Sequence, residues 1–133
     1  MRDLMPLLIV NDVEETVNYY INKLNFGIVK KGPAEGKPSF AIVKRKNARL
    51  MFEAKEPYAQ RNCSALTQEP FGTGMEIYMV PADGVGGLHQ ELHALDVDII
   101  KPLHTNEYGM QQFSIRDLNG YILTFKQYCP TCE

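Results

Sequence analysis

The chain has 133 residues, 44% of them apolar and 23% charged, with a formal net charge of −2. That length supports one domain with a core of its own. The slight acidic excess cannot neutralise a row of phosphates, and no apolar run approaches the ~20 residues of a membrane span, so neither nucleic acid nor membrane is an expected partner.

The opening Met-Arg-Asp-Leu-Met-Pro lacks the apolar stretch of a secretion signal, which makes the cytoplasm the expected location. Residues 4–10 are an apolar run of strand length. Asn11-Asp12 offers an N-cap, and Glu14 and Glu15 suit the positive end of a helix dipole. Val13, Val17, Tyr20, Ile21 and Leu24 then recur at helical spacing, which predicts a helix over 12–24 ended by Asn25 and Gly27. Ile28-Val29 begins a strand, and residues 32–38 form a loop rich in Gly and Pro. Residues 39–43 and 49–54 read as strands joined by a polar turn.

Residues 55–73, with Pro57, Pro70 and Gly72, form a linker with room for a short helical turn. The order then repeats. Residues 75–80 predict a strand, and Val85, Leu88, Leu92 and Leu95 mark a helix whose first turn is weakened by Gly84, Gly86 and Gly87, each by up to ~1 kcal/mol. A strand over 97–100 is closed by Lys101-Pro102. Residues 109–116 and 121–127 form a hairpin around Asp117-Leu118-Asn119-Gly120, where Asn-Gly is a strong turn signal. The expected fold class is α+β, with two tandem βαβββ modules in a single domain. Module one is 4–54, the linker 55–73, module two 74–127 and the tail 128–133.

Three cysteines make no disulfide framework in a chain of this length. Cys129 and Cys132 share a Cys-x-x-Cys spacing, but no two further zinc ligands accompany them and no helix follows, so a plain mobile tail is the favoured reading. His89 and His93 stand four apart on the second helix. A zinc-protease motif would place Glu directly after the first His, where this chain has Gln90, so a solvated helix face is favoured. His104, in the loop before Asn106-Glu107-Tyr108, could reach a cleft mouth or be plain surface, and the loop aromatics Tyr58, Phe71 and Tyr108 could close over a ligand.

The opening strand, Asn11-Asp12, the helix with Tyr19-Tyr20, and Leu24-Asn25-Phe26 resemble the first module of the vicinal-oxygen-chelate superfamily. The ending from Gly109 to Tyr121 resembles the same superfamily, nearest its glyoxalase/bleomycin-resistance branch. One departure is Asp117-Leu118-Asn119-Gly120, where that branch commonly has Asp-Pro-Asp-Gly. The likeness runs from Leu4 to Lys126. It implies a curved mixed sheet around an internal cleft, often completed in a homodimer. The positions that hold a metal in the superfamily's enzymes fall on Met5, Met51, Met75 and Thr124, with Glu53 as the alternative to Met51 on the same strand face. Thioethers and a hydroxyl are not the imidazole nitrogens and carboxylate oxygens such ions take. The resemblance therefore implies no metal, no cofactor and no catalytic residue.

Period-2 alternation would put Met5, Leu7 and Ile9 on the cleft face, with Met51 and Glu53, and likewise Met75, Ile77 and Met79. Hairpin pairing would put Phe113 and Ile115 with Ile122 and Thr124. The expected binding cleft comprises Met5, Leu7, Met51, Glu53, Met75, Ile77, Phe113 and Thr124, with Tyr108 at its mouth. It would hold an apolar or planar small molecule, with any cationic group meeting Glu53, its one ionisable residue. Glu53 could equally be a solvated strand-end residue. The expected function is that of a metal-free small-molecule binding protein, similar to drug-sequestering bleomycin-resistance proteins. The alternative is a metal-dependent lyase or dioxygenase with a displaced metal site drawing on Glu53, His104 or Glu107.

Overall fold

The computed structural model describes Met1–Thr131, and the chain divides into two compact units with the boundary between Phe71 and Gly72. Each unit is one βαβββ module with a four-stranded mixed sheet.

The first unit contains β1 (Leu7–Val10), α1 (Val13–Asn22), β2 (Gly27–Gly32), β3 (Phe40–Arg45) and β4 (Ala48–Ala54). Its strand order is β1-β4-β3-β2, with β1 parallel to β4 and the other pairs antiparallel. Asp12 starts α1 as expected: its carboxylate accepts the Glu15 amide at 2.9 Å. That bond satisfies one of the amides a helix start leaves open. Asn25 takes a left-handed φ of 58°, and the Phe26 amide reaches back to the Tyr20 carbonyl at 3.0 Å, which ends the helix. Val13, Val17 and Tyr20 lie on the buried stripe of α1. Leu8, Val10, Ala41, Val43, Leu50 and Phe52 form the buried sheet face. Tyr20 anchors this core, with its ring 4.9 Å from Phe52 and 5.5 Å from Phe26. Each such aromatic pair contributes roughly 0.5–1.5 kcal/mol beyond the area it buries.

The linker is more ordered than its composition suggests. It folds as α2 (Lys55–Arg61) and a 3-10 turn (Ser64–Thr67).

The second unit contains β5 (Ile77–Met79), α3 (Val85–Ala94), β6 (Asp98–Thr105), β7 (Gln111–Arg116) and β8 (Ile122–Lys126), in the strand order β5-β8-β7-β6. Its core joins Val85, Leu88 and Leu92 of α3 to Phe113, Ile115, Leu123 and Phe125. Asp117 makes the tight hairpin, accepting the Asn119 and Tyr121 amides at 2.9 Å each. One boundary differs clearly from expectation. β6 does not stop at Pro102 but runs on to Thr105, with register shifts between Ile99 and Lys101 and between Lys101 and His104. A proline has no amide to give a ladder, and an edge strand with irregular pairing is where that loss costs least. No helix among the described residues is long and apolar enough to cross a membrane.

Candidate functional site

In the first unit the alternation holds as read. Leu8 and Val10 are buried, while Leu7 and Ile9 are half-buried on the opposite face. Cα partners across strands share a face. The pairs Leu7–Met51 and Ile9–Glu53 therefore place these four residues together on the side away from the buried core, with Ile42 and Phe40 beside them on β3. Met5 lies just ahead of β1 and is half-buried.

Glu53 is 7% exposed and is met from within its own chain. Arg61, at the end of α2, donates to its two oxygens at 2.7 and 2.8 Å. The guanidinium also lies 5.2 Å from the centre of the Tyr58 ring. The hydrogen bonds to Glu53 raise the Arg61 pKa above its ordinary value, the carboxylate's charge adding to them against the cost of desolvation. A fork-to-fork pair of this kind fixes geometry as well as charge. The carboxylate assigned to meet a ligand cation thus already has a cation, which the sequence could not show because Arg61 lies in a segment read as linker. A polar depression of about 420 Å³ between α2 and the 3-10 turn, lined by Lys55, Gln68 and Glu69 among others, shares no residue with this face.

In the second unit the register differs from expectation. Phe113 pairs with Phe125 and Ile115 with Leu123, while Thr124 pairs with Ser114. On β5, Ile77 pairs with Leu123 and Tyr78 with Thr124. Phe113 and Ile77 therefore share the core side, where the His89 ring of α3 stands edge-on to Phe113 at 5.1 Å. Thr124 faces the other way. The structure does not bring Phe113 and Ile77 onto one face with Thr124. A one-residue slip reverses every side chain in a strand. The difference arises at the turn, where Arg116 pairs with Ile122 and so sets Ser114, not Phe113, beside Thr124. Met75 lies ahead of β5 and is 43% exposed.

The shift brings forward a residue that sequence reasoning missed. Glu76 accepts a hydrogen bond from the Thr124 hydroxyl. Thr124 and Ser114 hydroxyls lie 2.7 Å apart. The Thr124 proton is committed to Glu76, so Ser114 donates to Thr124, and the chain runs Ser114 to Thr124 to Glu76. The internal repeat carries the same message. In the first unit Leu7 pairs with Met51 and Met5 precedes Leu7 by two; in the second Tyr78 pairs with Thr124 and Glu76 precedes Tyr78 by two. The counterpart of Met5 is therefore Glu76, one position after the expected Met75. Aligning the modules on Asp12 and Asp83, each seven residues further on, rather than on the two methionines, could have found it.

Tyr108 is 79% exposed in the β6–β7 connection, where the Asn106 side chain accepts its amide at 2.9 Å. His104 Nδ1 lies 2.8 Å from the Pro102 carbonyl. His89 and His93 stack with ring centres 6.5 Å apart, and His89 is half-buried rather than fully solvated. Among the described residues no group of three His, Cys, Asp or Glu side chains is placed to hold a metal. Cys129 is buried, and Cys132, the other half of the expected tail motif, lies outside the described residues.

The model of the Glyoxalase/Bleomycin resistance protein/Dioxygenase superfamily matches residues 4–125. The chain belongs to this superfamily. Solved structures of similar fold include TioX from Micromonospora sp. ML1, at 19% identity and a TM-score of 0.76, covering 97% of this chain and 100% of that one. A protein of unknown function from Agrobacterium tumefaciens str. C58 shares 22% identity at a TM-score of 0.78, with 97% and 95% covered. A glyoxalase/bleomycin resistance protein/dioxygenase from Nocardioides shares 15% at 0.78, with 98% and 85% covered. No curated protein matches the chain.

The resemblance to the superfamily's enzymes implies a metal. In the first unit Met5 and Met51 offer thioethers, which do not fit a hard divalent ion. In the second the Thr124 hydroxyl and a Glu76 oxygen are already bonded to each other.

Proposed function

We propose that this superfamily member is a small-molecule binding protein that holds an apolar or planar ligand without a metal. The observation that carries the reading is the face formed by Leu7, Ile9, Ile42 and Met51. These apolar side chains are half-buried and lie on the opposite side of their sheet from the α1 core. A mostly apolar lining with a few fixed polar groups is the usual character of a ligand pocket. Met51 suits the role because a methionine side chain adapts its shape to what lies against it. The Glu53–Arg61 pair supplies fixed polar groups on the same face.

A thermal-shift panel of planar and apolar compounds tests the reading. A compound at 100 times its dissociation constant should stabilise the protein by about 2.7 kcal/mol, with no change on adding a chelator. A panel that leaves the melting temperature unmoved would overturn it. The metal-dependent alternative draws on one observation, the Glu76 carboxylate at the position of the second module that corresponds to Met5 in the first. It predicts a stoichiometric metal by elemental analysis and loss of binding in chelator, and that result would replace the metal-free reading.

A further inference from the structure

The face opposite α1 in the first unit carries a charge pattern not accounted for by packing. Its residues lie in three rows across the strands. The first row is Lys44 and Arg49, the second Lys30, Ile42, Met51 and Leu7, and the third Phe40, Glu53 and Ile9. Lys44 and Arg49 are direct cross-strand partners, and both are half-buried. Like charges directly opposite one another in an antiparallel pair are destabilising. Neither forms an ion pair among the described residues. Lysines often guard the exposed edge of a sheet, and Lys30 and Lys31 on the edge strand β2 are explained in that way. Lys44 and Arg49 are not, because β3 and β4 are the two inner strands. Glu53, the carboxylate in these rows, has both oxygens on Arg61. The face is therefore an apolar field with uncompensated positive charge at one end and a neutralised pair at the other.

We propose that this face takes an amphipathic small molecule whose anionic head sits between Lys44 and Arg49 and whose apolar body lies over Ile42, Met51 and Leu7. The proposal rests on the small-molecule reading above and replaces the cationic ligand suggested by Glu53. A guanidinium presents parallel N–H donors to an oxyanion, and the neighbouring ammonium adds a point charge. Rows on one face are two residues apart, about 7 Å, so the apolar body extends roughly 7–13 Å from the head.

Two dyes that share a ring system test this. 8-Anilinonaphthalene-1-sulfonate carries an anionic head, and N-phenyl-1-naphthylamine is its neutral analogue. Fluorescence titration should show the sulfonate dye binding on the order of tenfold tighter to the wild type, the scale of two charge contacts near a protein surface. The Lys44→Gln/Arg49→Gln variant should lose that preference and keep its affinity for the neutral dye. Lys31→Gln, on the other face of β2, should change neither. Raising the salt concentration of the wild type should weaken the sulfonate dye alone, which reads the same charges without altering the fold. Equal affinities for the two dyes, or a preference that survives the double substitution, overturns this inference and leaves the small-molecule reading standing. Binding of neither dye overturns both.

Discussion

Replacing Thr124 by Val removes one hydroxyl at nearly constant volume. Thr124 is fully buried and Ser114 is 4% exposed. In the wild type Ser114 donates to Thr124 at 2.7 Å, and Thr124 donates to Glu76. The variant leaves the Ser114 hydroxyl without its acceptor and out of reach of water. A buried polar group stranded in this way costs roughly 1–3 kcal/mol. Glu76 is exposed and exchanges the lost bond for water, so it adds little. The expected loss is about 2 kcal/mol. Replacing both partners, Ser114→Ala with Thr124→Val, removes the stranded group and should cost less than the single Thr124 change. Urea unfolding followed by circular dichroism, with the four members of the cycle compared at one temperature, measures the difference. If Thr124→Val costs under ~0.5 kcal/mol, or the double variant is less stable than the single one, the proposed direction of the hydrogen-bond chain is wrong.

Asp12→Ala should cost about 1 kcal/mol through loss of the α1 cap, measured by thermal unfolding. The Glu15 amide, then the Lys37 ammonium at 3.0 Å, hold the Asp12 carboxyl below its ordinary value. Its contribution is therefore complete above the unfolded pKa of about 3.9 and fades as pH falls through the lower folded value, so the stability gap between wild type and variant should close below about pH 4. Gly72→Ala and Gly74→Ala separate backbone strain from crowding, since both glycines have φ near +80° but only the Gly72 Cβ would meet a side chain, Tyr121 at 2.8 Å. Melting temperatures should show Gly74→Ala costing about 1 kcal/mol and Gly72→Ala clearly more. Arg61→Ala should destabilise more than Glu53→Met in urea, because the first strands a buried carboxylate and the second leaves a guanidinium that water can reach.

The element order was legible because its signals were local. Asp12 before a run of helical spacing, the Asn119-Gly120 turn, and the apolar run ending at Val10 each act within a few residues. The first sheet's faces followed directly, since only one side of β1 meets α1. The second sheet's faces did not. Phe113-Ser114-Ile115-Arg116 and Leu123-Thr124-Phe125-Lys126 each alternate, but which face of one strand meets which face of the other depends on the register across the 117–120 turn, and Ser114 pairs with Thr124. Glu76 was missed for the same reason, since its role depends on the side of β8 that Thr124 takes. Arg61 was missed because its partner lies across a turn of chain rather than along a strand, and nothing in the sequence spacing joins residues 53 and 61.

Pro102 has a further effect on how copies of this chain can meet. β6 is an edge strand that lacks the Pro102 amide, and its pairing with β7 is shifted twice. A strand arriving from another molecule would meet an edge bent out of regular register. Such an edge resists the continuous strand-to-strand addition by which sheet proteins aggregate. Replacing this proline with valine would return an amide to the strand and make a regular, pairable edge easier to form.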